Sequence, residues 1–526
     1  MSPDDIARQL HGRWPMAAPG GADAQPGTIA LSCPPPLLPE VCAWLFSEAD
    51  CAFAGLVVEE NADAWELRYL FHSRAGPARV QVVARQAPAQ REFPSISARV
   101  HAADWQEREA EDMFGVVFAG HPRLGDFILH DDAWQEGVEP MRHRFDAQTP
   151  VEGRRPKPDW RPRRIVEAEG AFVMPVGPVF GGIAESVHFQ LETVGEDVIR
   201  AFPRLFFKYR GVEKIAEGKP AQEALLLAER FAATTAFAHA VAFSTAVERI
   251  AGAEVPERAR RLRVLLAELE RLRHHVGVIE GICESTGLVV AASQAAILEE
   301  ELLRLCGKLT GHRYLFGLAA PGGLSRDLGD AACQDAVQAA RGVTRRLNAL
   351  EDLLRYSSSY LDRLEDVGVI AKSDALAHGL VGPIARASGQ GCDLRRTQPY
   401  EVYDRFDFDT PVEQEGDGYA RLRVFFAEAR QALRLMEQAA AGLPGGPVRS
   451  PCPPKAGATL SWIEAPRGAA FHWLRLDADG RVIRYHIVPP SFINWHGFHL
   501  AVERFAFQDF PIILATLGLS VAENDR

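Results

Sequence analysis

The sequence predicts an α+β protein, in which a small N-terminal α/β domain precedes a large, mainly helical bundle with small peripheral β-sheets. Short segments with alternating apolar and polar residues occupy roughly the first quarter of the 526 residues, and long amphipathic segments occupy the rest. A stretch rich in proline and arginine separates the two. Apolar residues make up 47% of the chain, enough for a large core.

The first predicted domain, residues 1–145, opens with an irregular, proline-containing lead-in and continues with mixed helices and strands. Trp65, Leu67, Tyr69 and Phe71 alternate with polar residues, a pattern typical of a half-buried strand. The predicted elements are a helix at Val41–Ala49, strands at Ala64–Ser73 and Val80–Arg85, and a helix at Ala103–Asp112 with Asp104 as its N-cap.

Residues 146–164 are the predicted linker, and residues 165–526 form the second predicted domain. Apolar residues recur there at the i, i+3, i+4 spacing of amphipathic helices, which an antiparallel bundle would bury. The predicted elements are a small sheet at Val173–Glu196, helices at Ala221–Ala251, Glu257–Gly281, Gln294–Leu309 and Asp335–Leu364, and a strand at Val482–Ile487.

Composition narrows the range of functions. The formal charge of -12 argues against a nucleic-acid partner. No run of about 20 apolar residues predicts a membrane span, and the polar N-terminus does not resemble a secretory signal, so we expect a cytoplasmic chain. The eight cysteines form no C-x-x-C pair, and we expect most of them to be buried apolar thiols.

The segment Glu107–Gly115 is dense in charge and ends in glycine, which by itself is typical of a solvated helix face with a glycine cap. Together with Gly120-His121-Pro122, Asp131-Asp132 and Pro140-Met141-Arg142, it resembles the 30-kDa subunit of respiratory complex I. In that family this is a docking domain, so the resemblance implies a docking role for residues 1–145.

A second set of motifs resembles the large subunit of nickel–iron hydrogenases and the 49-kDa subunit of complex I. The likeness extends to formate-hydrogenlyase and hydrogenase-4 large subunits, which carry the same small domain fused in front. The motifs, in family order, are Tyr209–Lys214, Val247-Glu248, Pro256–Arg258, Glu268–Arg271, Gly322-Gly323, Arg326-Asp327, Arg386–Gly389, Pro444–Pro447, Glu464–Gly468, Asn494-Trp495 and Asp525-Arg526.

The resemblance also marks where relatives bind nickel and iron through four cysteine thiolates. Here Ala232 and Thr235 occupy the first pair of positions, and Ser520 and Glu523 occupy the second. Soft metals need sulfur ligands, and alanine has no ligand atom. We therefore expect no metal site here and no cofactor bound by the chain's own residues, and its ending at Arg526 suggests no tail for metal-dependent processing.

Complex I subunits of this family lack those cysteines as well and bind a quinone headgroup in the cavity. The family uses two histidines in a loop and one tyrosine, and the matching residues here are Phe180, Ala184 and Ala233. The hydrogen-bond donors expected to polarise quinone carbonyls are therefore missing, and the usual route of quinone reduction is not predicted.

Charged and polar residues remain around this predicted cavity. One interpretation is a buried ion-pair network inherited with the fold, and the other is a proton path or coupling element beside a partner's cluster. The candidates are Arg210, Glu213, Arg230, His239, Arg386, Arg467, Asp525 and Arg526.

The leading hypothesis is a peripheral-arm large subunit of a complex I-like or hydrogenase-related oxidoreductase that couples electron transfer to proton or ion translocation. The resemblance implies a small iron–sulfur partner that holds the cluster, antiporter-like membrane subunits, and a position on the cytoplasmic face of the inner membrane. A non-catalytic scaffold and a reductase of quinone or another acceptor with a remodelled pocket remain open. A genuine hydrogenase is also testable, because it would contain stoichiometric nickel.

Overall fold

The N-terminal part of the protein is built around a five-stranded sheet. A computed structural model describes residues 1–19, 27–148, 167, 169–179 and 185–526. The strand order is β1-β2-β5-β4-β3, with β2 and β5 parallel and the other pairs antiparallel, while β6 and β7 form a separate parallel pair. The elements are α1 (Pro3–Arg13), β1 (Ala18–Pro19), β2 (Thr28–Ser32), α2 (Leu38–Ser47), β3 (Cys51–Glu60), β4 (Trp65–Ser73), β5 (Arg79–Gln86), β6 (Glu92–Pro94), α3 (Asp104–Phe114) and β7 (Val117–Ala119).

Strand β4 departs from its predicted half-buried character, because all nine of its residues are buried. Its polar residues contact the C-terminal part of the chain. The Arg68 guanidinium lies 5.0 Å from the ring centre of Trp473, and Arg475 donates to Glu59 on the neighbouring strand at 2.6 Å. The predicted alternation of residue types is present, but the face predicted to be solvated is covered by the rest of the protein.

Helix α3 also differs from its sequence interpretation. Gly115 ends it in the left-handed conformation at φ 70°, as predicted, but Asp104 is the first helical residue and provides no side-chain cap. Glu107, Arg108 and Glu109 are buried, so the prediction of a solvated face was wrong. Glu107 accepts from Ser95 and from the Ile96 N–H in its own domain, whereas Glu109 accepts from Arg526 in the second part of the chain.

The second part of the chain contains three small sheets and a helical bundle. Strands β8, β9 and β10 form an antiparallel sheet in the order β10-β9-β8, and β13, β14 and β15 form another in sequence order. The elements are β8 (Ala171–Val176), β9 (His188–Val194), β10 (Asp197–Arg204), α4 (Val212–Ala216), α5 (Ala221–Arg230), α6 (Ala236–Ala251), α7 (Glu257–Ser285), α8 (Val289–Thr310), β11 (Ala319–Ala320), β12 (Gly323–Leu324), α9 (Asp330–Leu354), α10 (Ser358–Leu361), α11 (Lys372–Ala377), α12 (Gly382–Ala387), α13 (Leu394–Thr397), α14 (Gly418–Ala440), β13 (Gly457–Ala465), β14 (Gly468–Leu476), β15 (Val482–Val488), α15 (Pro490–Asn494), α16 (His496–Val502) and α17 (Phe510–Leu517).

The bundle consists of α7, α8, α9 and α14, with α7 at the centre between α8 and α14. Twenty of the residues of α7 are buried, which explains its weak amphipathicity, since a helix surrounded by others has no large solvent face. The α+β class and the bundle predicted from the sequence are confirmed.

One predicted helix, Ala221–Ala251, is two helices. The chain leaves helical geometry after Arg230, passes through a 3₁₀ turn at Ala233–Thr235, and resumes as α6. Nothing in the Ala-Thr-Thr sequence breaks a helix by itself. Tertiary contacts supply the cause, because Glu270 on α7 accepts hydrogen bonds from the free N–H groups of Phe237 and Ala238 at the start of α6.

Other sequence expectations have mixed outcomes. The predicted helix Asp335–Leu364 ends earlier, at Leu354, and a separate short helix follows. Six of the eight cysteines are buried and all are free thiols, as expected. Most of the predicted linker, from residue 149 onward, lies outside the described residues. Within the described part of the chain, none of the helices combines the length and apolar character needed to cross a membrane.

Candidate functional site

A buried carboxylate, that of Glu523, lies at the centre of the candidate site. Its Oε1 accepts a hydrogen bond from Thr235 Oγ1 at 3.1 Å and lies 3.2 Å from His239 Nε2. Its Oε2 accepts from the backbone N–H of Ser491 at 3.0 Å. The Arg467 guanidinium approaches to 3.8 Å. We call Glu523, Thr235, His239 and Arg467 the Glu523 cluster.

The turn between α5 and α6 positions one side of this cluster. It directs Thr235 inward, and Arg467 holds the turn by donating to Thr234 Oγ1 at 3.0 Å. Arg467 also donates to the carbonyl of Gly518 at 2.9 Å, which fixes the segment that leads to Glu523. The cluster is therefore assembled from distant parts of the chain, as the separation of 288 positions between Thr235 and Glu523 shows.

The electrostatics favour an ionised carboxylate. Burial alone would raise the pKa of Glu523, but the hydrogen bond with His239 and the charge of Arg467 outweigh it and lower that pKa to about 2. Burial of Glu270, which caps α6, has the opposite result and raises its pKa to about 7. The cluster thus holds one negative charge in the interior at neutral pH, next to one arginine.

Hydrogen bonds continue from this carboxylate into the core. His239 Nδ1 lies 3.0 Å from His472 Nε2, and His472 Nδ1 lies 2.8 Å from the hydroxyl of Tyr485. All three side chains are fully buried. The chain Glu523–His239–His472–Tyr485 can hold and pass a proton between adjacent atoms, since each imidazole has one donor and one acceptor nitrogen when neutral.

The four positions that carry metal-binding cysteines in nickel-binding relatives were predicted to be Ala232, Thr235, Ser520 and Glu523. Thr235 and Glu523 are in direct contact, and Ser520 Oγ accepts from the Glu523 N–H at 3.2 Å. Ala232 lies just before the 3₁₀ turn that carries Thr235, and its methyl side chain is buried. A methyl, two hydroxyls and one carboxylate do not fit a soft metal that needs thiolates, so these four residues support no nickel chemistry.

A second cluster surrounds Glu213 on α4. Its carboxylate accepts from Arg484 at 2.9 Å and from Arg526 at 3.2 Å, and it lies 3.0 Å from His486 Nδ1. Arg526 also donates to Glu109 on α3 at 2.5 Å. The final residue of the sequence therefore joins the two parts of the molecule through a buried ion pair.

Glu109, Glu213 and His486 are also the only described group of three acidic, histidine or cysteine side chains whose ligand atoms lie close together. Arg526 pairs with both carboxylates, and Arg484 pairs with that of Glu213. A cation there would meet two guanidinium groups, so this group is a poor metal site.

Arg210 connects the two clusters along the C-terminal segment. Its guanidinium donates to the backbone carbonyls of Asp525 at 2.7 Å, of Phe231 at 2.7 Å and of Ala522. Burial raises the pKa of the Asp525 carboxyl to about 7, although the charge of Arg210 opposes the shift. Asp525 thus contributes its backbone to the site, while the charged form of its side chain is destabilised at neutral pH.

Arg386 belongs to a separate network inside the bundle. It donates to Glu428 at 2.6 Å and to Glu464 at 2.9 Å, and His275 Nε2 lies 3.0 Å from Glu428. The pKa of Glu428 is lowered well below its usual value, because Arg386 and His275 outweigh the effect of burial. None of these partners belongs to the Glu523 cluster, so the structure does not bring Arg386 into the same site.

The structure therefore brings together most of the predicted residues but not all. The exception besides Arg386 is Arg230, whose side chain is 54% exposed and lies 5.7 Å from the ring centre of Phe316. The structure thus places Arg230 at the exposed end of α5, and its described contacts are with Glu229 and Phe316 and not with the Glu523 cluster. Ala233 is exposed in the turn, and Phe180 and Ala184 lie outside the described residues.

Sequence reasoning missed two residues of the hydrogen-bond chain and one anchor. His472 interrupts the apolar run Ala469–Leu474 of β14, and that interruption was a usable signal. Tyr485 and Arg484 gave no such signal, since both fit an ordinary strand pattern. Their roles depend on the register of β14 and β15.

Comparison with known proteins gives three family matches. The family "Respiratory-chain NADH dehydrogenase, 49 Kd subunit" matches residues 287–456 and 448–526, and "Respiratory-chain NADH dehydrogenase, 30 Kd subunit" matches residues 31–151. "Nickel-dependent hydrogenase" matches residues 210–278.

Individual relatives agree with these matches. "Formate hydrogenlyase subunit 5" of Escherichia coli (strain K12) is 31% identical over 443 residues, covering 83% of this chain and 77% of the relative. "Hydrogenase-4 component G" of the same organism is 28% identical over 99% of this chain and 92% of its own length. The C/D protein of the NADH-quinone oxidoreductase of Bdellovibrio bacteriovorus is 27% identical over 87% of each chain.

Proposed function

This chain belongs to the family of complex I 49-kDa subunits and hydrogenase large subunits, here with the 30-kDa-type domain in front, and on that premise we propose what it does. It is a subunit of a membrane-associated, complex I-like oxidoreductase. We propose that it serves as the large subunit of the peripheral arm, couples electron transfer to ion translocation, and binds no nickel–iron centre of its own.

The observation that carries this proposal is the direct contact between two of the four former ligand positions. The hydrogen bond from Thr235 to Glu523 joins the positions at which nickel-binding relatives place thiolates. Glu523 also binds His239 and the Ser491 N–H, so its oxygens are committed to the protein. Buried carboxylates held in this way stay charged and respond to charges that change nearby.

The same arrangement supports a coupling role. An electron arriving on a partner's iron–sulfur cluster adds negative charge near a buried anion, which favours uptake of a proton by that anion or by the His239–His472 pair. The hydrogen-bond chain to Tyr485 then gives the proton a place to move within this protein. We propose a small iron–sulfur subunit and antiporter-like membrane subunits as partners, on the cytoplasmic face of the inner membrane.

The test uses the intact complex, purified from its own host and reconstituted in vesicles. Glu523→Gln and His239→Gln should reduce ion translocation per electron at least tenfold while electron transfer to the natural acceptor falls less. Arg230→Gln, an exposed change at the end of α5, is the matched control and should leave both rates unchanged. Stoichiometric nickel that disappears in Glu523→Gln, or hydrogen turnover by the complex, would contradict the proposal.

A structural scaffold is the second candidate, and one observation favours it. The ring of Phe231 lies 4.5 Å from that of His239, and Phe237 is fully buried, so aromatic side chains fill space around the cluster. A scaffold predicts that Glu523→Gln and His239→Gln leave the ratio of ions moved to electrons transferred unchanged. The same vesicle measurement therefore separates the two candidates.

A further inference from the structure

A small chamber lies where α3 meets the second part of the chain, and no residue of the Glu523 cluster lines it. The space open to the centre of a water-sized sphere there is about 10 Å³, which suits a single water molecule. All of the lining residues are buried, and they come mostly from β3, α3, α4 and β15. The lining is apolar except for Gln106, Glu109, Glu213, Arg484 and His486.

Two buried polar atoms of this lining have no hydrogen-bond partner in the described part of the chain. Glu109 Oε1 accepts from Arg526, but Glu109 Oε2 is unpartnered. His486 Nδ1 lies 3.0 Å from Glu213, but His486 Nε2 is unpartnered. Buried polar atoms are costly to leave without a hydrogen bond, and in folded proteins an ordered water commonly satisfies them.

Gln106 supplies a third polar group. Its Oε1 accepts from the backbone N–H of Leu56 at 2.6 Å, so its Nε2 amide is the group that it can offer to a ligand. Gln106 and Glu109 are three residues apart on α3, a spacing that places both side chains on the same face of the helix. Together with His486 they offer three hydrogen bonds, the number that a buried water typically makes.

The distances suit a bridging molecule. A carboxylate oxygen of Glu109, one of Glu213 and a ring nitrogen of His486 all lie within 4.8 Å of one another. Two hydrogen bonds through one water oxygen span up to roughly 5.6 Å. Water also fits either protonation state of His486, because it can donate to a bare Nε2 and accept from a protonated one.

The charges around the chamber favour a neutral ligand. The carboxylates of Glu109 and Glu213 face the guanidinium groups of Arg526 and Arg484, so two negative charges are balanced by two positive ones. A cation in the chamber would be repelled by the arginines, and an anion would be repelled by the carboxylates. Water carries no net charge and therefore meets neither penalty.

We propose that this chamber binds one water molecule, which joins Glu109 of the N-terminal part to His486 of the second part. Glu109, the water, His486 and Glu213 then form a continuous chain of hydrogen bonds across the junction. Arg526 binds both carboxylates from the other side, so the water closes a ring of contacts between α3, α4 and β15. The water acts there as a structural ligand that holds the two parts of the protein together.

A crystal structure of the full chain, at a resolution that shows ordered waters, tests the proposal directly. We expect one density peak in the chamber, at roughly 2.6–3.2 Å from Glu109 Oε2, His486 Nε2 and Gln106 Nε2. Three results would overturn the proposal: a chamber without density, a peak with the anomalous signal of a metal ion, or a direct hydrogen bond between Glu109 and His486.

Displacing the water with a methyl group gives a second measurement, in solution. Val58→Ile adds one methyl group to the chamber wall, and the matched control Val57→Ile adds the same group to a neighbour that does not line the chamber. Oxygen-17 relaxation dispersion should count one fewer long-lived internal water in Val58→Ile than in Val57→Ile or the unchanged chain. The melting temperature of Val58→Ile should also fall, because Glu109 and His486 lose a partner that a methyl group cannot replace.

The same variants identify a dry chamber. An added methyl group fills a dry apolar cavity and stabilises the protein, whereas it leaves polar atoms unpaired in a hydrated one. A higher melting temperature in Val58→Ile than in the unchanged chain, or an equal number of long-lived waters in all three proteins, would therefore refute the proposal.

Discussion

The Glu523 cluster and the Arg386 network are both buried and charged, but they are built differently. Glu523 is a single carboxylate held by a hydroxyl, an imidazole, a backbone N–H and one arginine at 3.8 Å. In the bundle, Arg386 and Arg395 interlock with four carboxylates, those of Glu268, Asp393, Glu428 and Glu464.

This difference shows which of the two buried regions can accept substitutions that change the chemical character of its side chains. In the bundle, each arginine binds at least two carboxylates and both bind Asp393, so removing one charge leaves others unpaired. Around Glu523 most partners are neutral donors, and each contact can be replaced singly. The Glu523 cluster can therefore hold methyl, hydroxyl and carboxylate groups at positions where nickel-binding relatives have thiols. The Arg386 network could not accept such replacements.

The largest expected loss of stability comes from a substitution in the Arg386 network. Arg386→Met leaves Glu428 and Glu464 without their shared cation, and we expect the free energy of unfolding to fall by about 3–5 kcal/mol. Equilibrium unfolding in urea measures this. Arg430→Met, which removes a half-exposed partner of Glu351, is the control and should cost less than about 1 kcal/mol. A loss of similar size in both variants would remove the distinction between the two regions.

The second-largest expected effect is on the stability of the protein in acid, which depends on the ionisation of Glu523. Its pKa is lowered from 4.5 to about 2, so the folded state binds this proton less tightly than the unfolded state does. The resulting stabilisation, about 3 kcal/mol, is present above pH 4.5 and is lost as the pH falls toward 2. In Glu523→Gln that part of the acid dependence should disappear from unfolding curves measured between about pH 5 and 2. Exposed Glu92→Gln is the control, and an unchanged slope in Glu523→Gln would refute the lowered pKa.

A smaller effect is expected where the C-terminal segment meets α3. Arg526→Ala leaves Glu109 unpaired, whereas Glu213 keeps its contacts with Arg484 and His486. We therefore expect the free energy of unfolding to fall by about 2 kcal/mol. Amide hydrogen exchange should show faster exchange in α3. Arg481→Ala, at an exposed position just before β15, should not change it. Protection of α3 that survives in Arg526→Ala would mean that the ion pair does not hold the two parts together.

The smallest effect has the opposite sign. Burial raises the pKa of Asp525 to about 7, so the folded state binds this proton more tightly than the unfolded state does. Its contribution to stability is therefore greatest below about pH 4 and declines as the pH rises toward 7. Asp525→Asn should stabilise the chain by about 1–2 kcal/mol at about pH 8 and leave it unchanged at about pH 4. If Asp525→Asn instead lowered the free energy of unfolding at about pH 8, the charge of Asp525 would be well compensated in the folded protein.

The sequence could predict the fold class, the bundle and most of the candidate residues, because these depend on periodicity and ordered motifs. It could not predict that Glu107, Arg108 and Glu109 are buried, since their contacts are tertiary: Glu107 and Arg108 pair with loop groups of their own domain, and Glu109 pairs with Arg526. Likewise, nothing local marks the break before α6. Arg230 is the last residue of α5, so the same break ends the helix that carries it.

Arg526 and Glu109 are separated by 417 positions in the sequence, so the ribosome makes the two partners of this ion pair at different times. At about 5–20 residues per second, helix α3 emerges roughly 20–80 s before the arginine that completes its contacts is synthesised. Until Arg526 has been made, Glu109 lacks its arginine, and α3 is covered only where it packs against its own domain, chiefly β3. The docking of α3 against the second part of the chain can therefore be completed only at the end of synthesis.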